Sequence, residues 1–81
     1  MIKIQILLFG ITTDLLGVSS LEVEVPTEST ITLLKMQLLA NHPQLENINS
    51  YAIAVNEAYA SNETELKEND VVAIIPPVSG G

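Results

Sequence analysis

The chain has no cysteine and no arginine, and it holds one histidine and one phenylalanine in 81 residues. Without cysteine there is no disulfide, no thiolate metal ligand and no cysteine nucleophile. Any sulfur chemistry would therefore need its sulfur brought from outside. Three lysines stand against ten acidic residues, for a net charge of −7. That balance repels nucleic acid and anionic membrane, and it suits either a basic protein partner or plain solubility. No apolar run approaches the ~20 residues that cross a bilayer. The stretch from Met1 to Ile6 alternates like a strand and lacks the basic region and apolar block of a signal peptide. Cytoplasmic residence is the expectation.

Autonomous chemistry is equally scarce. His42 lies before Pro43 with no second ligand or base close in sequence, so it reads as a cap or a solvent-facing group. Glu22 and Glu24 alternate along a strand, while Glu63, Glu65, Glu68 and Asp70 sit in a polar connection. None has the spacing of a zinc or calcium site. Ser19, Ser20 and Ser79 lack the context that activates a nucleophile, and Gly10 and Gly17 are isolated, with no phosphate-binding loop. The expectation is no metal, no bound cofactor and no catalysis by the isolated chain.

What is present is a single small domain with 47% hydrophobic residues. A chain of this size buries roughly 60–65% of its unfolded surface, enough for one sheet packed on one helix. Met1 to Phe9 reads as a strand, with Ile2, Ile4, Ile6 and Leu8 on one face and Lys3, Gln5, Leu7 and Phe9 on the other. Leu21 to Val25 alternates as cleanly, and the intervening Gly10 to Ser20 reads as a long hairpin loop. Thr30 is placed to cap a helix reaching about Asn41 and closed by His42-Pro43. Ile31, Leu34 and Leu38 form its inner stripe. Leu33, Met36 and Ala40 fall on the other side, which leaves either extra burial under a loop or a contact surface.

Tyr51 to Val55 is a third strand, turned by Asn56-Glu57 into the short Ala58 to Ala60. Asn69, in the polar connection, suits a left-handed backbone. Asp70 to Ile75 is nearly all apolar, which predicts a central strand buried on both faces. The order strand, strand, helix, strand, short strand, strand predicts an α+β fold of the β-grasp, or ubiquitin-like, type. Its mixed sheet packs on one main helix over residues 1–75, and an extended, flexible C-terminal tail follows over 76–81.

That tail, Pro76-Pro77-Val78-Ser79-Gly80-Gly81, is the most informative segment. The two prolines stiffen it and stop the strand, and its six residues reach at most ~20 Å. Gly80 and Gly81 carry no side chains and can thread a channel too narrow for a β-carbon. The reactive group so presented is the carboxylate of Gly81. A carboxylate is a poor electrophile, so chemistry there requires prior activation, most simply as an acyl adenylate formed with ATP. A sulfur donor displacing AMP would then leave a thiocarboxylate, without any cysteine on the carrier.

With this element order and the ending DVVAIIPPVSGG, the chain resembles the small, sulfur-carrier subunit of molybdopterin synthase, within the ubiquitin-like sulfur carriers. The likeness spans the whole length and includes FGITTDLLG after the first strand and AVNEAYAS at the third hairpin. The resemblance implies that an adenylating enzyme of the ubiquitin-activating type attaches AMP to Gly81, and that a sulfurtransferase system converts the end to a thiocarboxylate. The tail would then enter the large catalytic subunit, in a hetero-oligomer, and donate sulfur to the cyclic pyranopterin precursor.

The family's apolar docking surface, carried over by position, falls on Phe9, Tyr59 and Ile75, with Pro76 to Gly81 as the inserted arm. Phe9 and Tyr59 have a plainer reading too, as cover for the sheet edge. Many family members have an Arg-Glu pair after the first strand, where this chain has Thr13 and Asp14, and aromatic residues at the positions of Ile74 and Ile75. A ubiquitin-like modifier joined to lysines, or a sulfur carrier for thiamine or cysteine synthesis, would need the same activated end.

Overall fold

The computed structural model describes residues 1–77. Strand β1, Ile2–Leu8, buries its even positions. Helix α1, Ile11–Leu16, leads into β2, Ser20–Val25, and then into the main helix α2, Ile31–Asn41. Two single 3-10 turns, Pro43–Leu45 and Ile48–Ser50, precede β3, Ala52–Val55. Strands β4, Ala58–Tyr59, and β5, Val71–Ile75, complete one five-stranded sheet in the order β2-β1-β5-β3-β4. β1 and β5 run parallel, and every other neighbouring pair is antiparallel. This is the mixed sheet and crossing helix of a β-grasp fold, as the element order predicts.

The core lies between one sheet face and α2. Ile4, Ile6, Val72 and Ile74 from the sheet meet Ile31, Leu34 and Leu38 from the helix, all at 2% exposure or less. Leu45, Ile48 and Leu66 close its margins from the turns and the long connection. The helix starts where the Thr30 side chain accepts from the Leu33 N–H, and it ends where the His42 N–H donates to the Leu38 carbonyl at 2.8 Å. His42 thus ends the helix through its backbone.

Two expectations need correction, and one open alternative is decided. The segment after β1 is not an open hairpin loop, because α1 forms there. Six residues with two threonines have little helical propensity, and local bonds hold them instead. Thr12 Oγ1 accepts from the Phe9 N–H at 3.1 Å and donates to the Phe9 carbonyl at 2.5 Å, while Thr13 Oγ1 donates to the Leu8 carbonyl at 3.0 Å. Gly17, left-handed at φ 73°, ends the helix and donates its N–H to the Thr13 carbonyl. Leu15 and Leu16 pack on the core.

Strand β5 is central but not buried on both faces. Val72 and Ile74 are buried, while Val71, Ala73 and Ile75 are half-buried. One side of the sheet is therefore open. Of the two readings of the outer side of α2, burial under a loop is removed, since Leu33 and Met36 are 49% and 62% exposed and Ala40 is also exposed.

Candidate functional site: the open sheet face and the root of the tail

Side chains alternate across a strand, so each pairing in the sheet assigns both partners to one face. Leu7 pairs with Ala73, Ala73 with Ala54, and Ala54 with Tyr59. These four residues form one row across the face opposite α2. In the next row, Ala52 pairs with Ile75. Phe9 follows Leu7 by two residues, at the end of β1 nearest Ile75, since Leu8 pairs with Ile74. Phe9 and Tyr59 thus flank Ile75 from the two sides. They stand three strand spacings apart across the sheet, roughly 14 Å, and are offset by two residues along it.

The expected docking residues are accessible. Tyr59 is 80% exposed and Phe9 47% exposed, with Ile75 half-buried between them. The alanines at 52, 54 and 73 floor the patch and keep it shallow. Their role was not evident from an apolar run alone; it follows from the pairing of β3 with β5. Charge is displaced to the far edge, where Lys3 pairs with Glu24 and Gln5 with Glu22.

The tail leaves from this patch. Pro76 is buried and Pro77 exposed, so the chain stays packed on the body for one residue beyond β5. Pro76 is seated on Gly10, whose φ of 56° and missing β-carbon allow the approach: a β-carbon there would lie 3.1 Å from Pro76 Cγ. An open pocket of about 270 Å³, lined by Ser50, Ala52, Ile75, Pro76 and Pro77, marks the same place. Val78, Ser79, Gly80 and Gly81 lie outside the described residues. Thr13 and Asp14, at the positions of the family's Arg-Glu pair, behave differently from each other. Thr13 is tied to the Leu8 carbonyl, while Asp14 is exposed.

Among the described residues, no three His, Asp or Glu side chains are grouped as metal ligands, and no helix is long and apolar enough to cross a membrane. The arrangement offers an open apolar face with the two prolines that end β5 at its border.

A family model, the ThiS family, matches residues 6–81. The chain belongs to the ThiS family. It is 36% identical over 81 residues to the molybdopterin synthase sulfur carrier subunit of Arabidopsis thaliana, covering 99% of this chain and 84% of that protein. Its structure matches a putative molybdopterin converting factor, subunit 1, from Pyrococcus furiosus, with a TM-score of 0.87 and 29% identity, covering 96% of this chain and 100% of that one. The same fold recurs, at TM-score 0.72 and 23% identity, in a protein-protein complex of subunits 1 and 2 of molybdopterin-converting factor from Helicobacter pylori 26695; the match covers 99% of this chain and 100% of that one. The recognised resemblance and the ubiquitin-like fold both stand for this ThiS-family chain.

Proposed function

We propose that this chain is the sulfur carrier subunit of a molybdopterin synthase and works as a non-catalytic partner of a large catalytic subunit. The observation that carries this reading is the geometry at the end of β5. A proline seated on Gly10 and a second, exposed proline launch the C-terminal segment from the edge of an open apolar patch. Relatives that match this chain along its length are sulfur carrier subunits.

In this reading an adenylating enzyme activates Gly81. A carboxylate oxygen attacks the α-phosphate of ATP, pyrophosphate leaves, and an acyl adenylate forms. Hydrosulfide then makes a carbon–sulfur bond as the bond to AMP breaks, and loss of its proton leaves a thiocarboxylate. Phe9, Tyr59 and Ile75 dock the carrier on the large subunit, and Pro76 to Gly81 deliver the sulfur. Transfer to the pyranopterin precursor and hydrolysis of the spent end restore the carboxylate. The chain contributes position, while its partners contribute the catalytic groups.

Reconstitution with the large subunit tests the proposal. Deleting Gly81, or adding one residue after it, abolishes formation of molybdopterin, and full activity in either variant would overturn the reading. Intact mass spectrometry of the activated chain distinguishes a protein modifier. A carrier shows oxygen replaced by sulfur at residue 81, whereas a modifier shows lysine-linked adducts without that exchange.

A further inference from the structure

Lys3 and Lys67 are exposed, but Lys35, on α2, is 8% exposed. Its ammonium has three N–H donors, and its one hydrogen-bond acceptor among the described residues is the neutral Asn62 Oδ1, at 2.8 Å. Burying a cation without a counter-charge is unfavourable. A methionine at this helix position would fill similar space without that cost.

The ammonium does not sit in a sealed core. Lys35 lines a pocket of about 170 Å³ between α2, the 3-10 turn at 48–50 and the long connection after β4. Met36, Leu39 and Ile48 form its apolar wall, and Thr32, Asn49 and Asn62 join Lys35 as its polar groups. The site is held in shape, because the Thr32 N–H and Oγ1–H both donate to the Asn62 carbonyl at 3.1 Å. Since Asn62 turns Oδ1 towards Nζ, its amide NH₂ remains available to donate elsewhere.

We propose that this pocket binds a small free monocarboxylate, with its carboxylate against Lys35 and the Asn62 amide and its short apolar stem against Met36, Leu39 and Ile48. One ammonium neutralises one negative charge. A dianion such as phosphate would carry a second charge into a protein of net charge −7, in a pocket lined by no other cation. A cationic ligand would be repelled by Lys35. The pocket belongs to the helix layer, on the opposite side of the sheet from Phe9, Ile75 and Tyr59. Ligand binding and partner docking are therefore compatible, and the inference stands apart from the carrier reading.

The test is an amide NMR titration of the full chain with sodium butanoate, with butylammonium chloride and sodium phosphate as comparisons at matched ionic strength. Butanoate gives saturating shifts centred on Thr32, Lys35, Ile48 and Asn62, with a Kd of about 1–10 mM for so small a ligand. Lys35→Met weakens binding by about tenfold or more while the spectrum stays folded. Lys35→Gln, which keeps a donor for Asn62 without the charge, does the same and serves if the methionine variant fails to fold. Tyr59→Ala, on the opposite face, leaves the titration unchanged. Absence of saturation would overturn the proposal. So would equal affinity for phosphate or butylammonium, or butanoate affinity that survives both lysine substitutions.

Discussion

Pro76 packs on Gly10: a β-carbon on that glycine would stand 3.1 Å from Pro76 Cγ. The contact joins the turn after β1 to the residue that ends β5. Gly10→Val adds side-chain bulk at this contact and imposes a β-branched residue on a backbone with φ 56°. The expected cost is about 1–3 kcal/mol of stability. In the NMR spectrum the amides of Ile75 and Val78, on either side of the prolines, should shift more than those of α2. A spectrum unchanged at both residues would show that Gly10 does not set the seat of Pro76.

Tyr59 and Phe9 separate docking from folding. Tyr59 makes little contact with the body, being 80% exposed, so Tyr59→Ala should alter stability by no more than about 0.5 kcal/mol. As an aromatic anchor it should cost about 2 kcal/mol in affinity for the large subunit, roughly a 30-fold rise in Kd. Phe9→Ala should act in the same direction on affinity. Calorimetric titration with the large subunit, beside a thermal melt of each variant, checks both halves of this expectation.

Gly17 is left-handed at φ 73° and has nothing within 4 Å of where a β-carbon would lie. Gly17→Ala therefore reports backbone strain without a steric clash. It should cost about 1 kcal/mol, which for a domain of this size lowers Tm by about 4–8 °C. Differential scanning calorimetry measures this directly.

Asn56 serves two purposes in the β3–β4 turn. Its φ of 50° is followed by 72° at Glu57, the positive pair of a tight hairpin turn. Its side chain also accepts from the Val71 N–H at 3.0 Å and donates to Asp70 Oδ1 at 2.9 Å. Asn56→Gly keeps the backbone but loses both bonds, at a cost of about 1–2 kcal/mol. Asn56→Ala should cost about 1 kcal/mol more, because alanine also resists the left-handed conformation. Urea melts of the two variants separate the terms.

Much of the fold was legible because local signals agreed. The alternation of Ile2, Ile4, Ile6 and Leu8, the Thr30 cap and the Asn56-Glu57 turn each specify one local geometry, and all three are present. Helix α1 was not legible. It is held by side-chain bonds from Thr12 and Thr13 to the end of β1, and no periodicity announces such bonds. The apolar run of β5 does not reveal that one face is open, since Ala73 and Ile75 look the same in sequence whether covered by the chain or left for a partner. Tyr59 and Ile75 are legible only through family resemblance, while alternation along β1 also sets Phe9 apart from the core, and sheet pairing places all three on one face. Lys35 gave no signal at all: only packing shows that its side chain is buried along α2 with Nζ beside Asn62 Oδ1.

The parallel pairing of β1 with β5, from Gln5 opposite Val71 to Leu8 opposite Ile74, places the two ends of the fold side by side at the middle of the sheet. During synthesis, the first strand emerges long before its central neighbour and must wait for it. A nascent or clipped chain lacking β5 would split the sheet, leaving β2-β1 separated from β3-β4. Such a fragment would present neither a continuous face nor an anchored arm. One central strand thereby carries both the continuity of the sheet and the seat of Pro76 on Gly10.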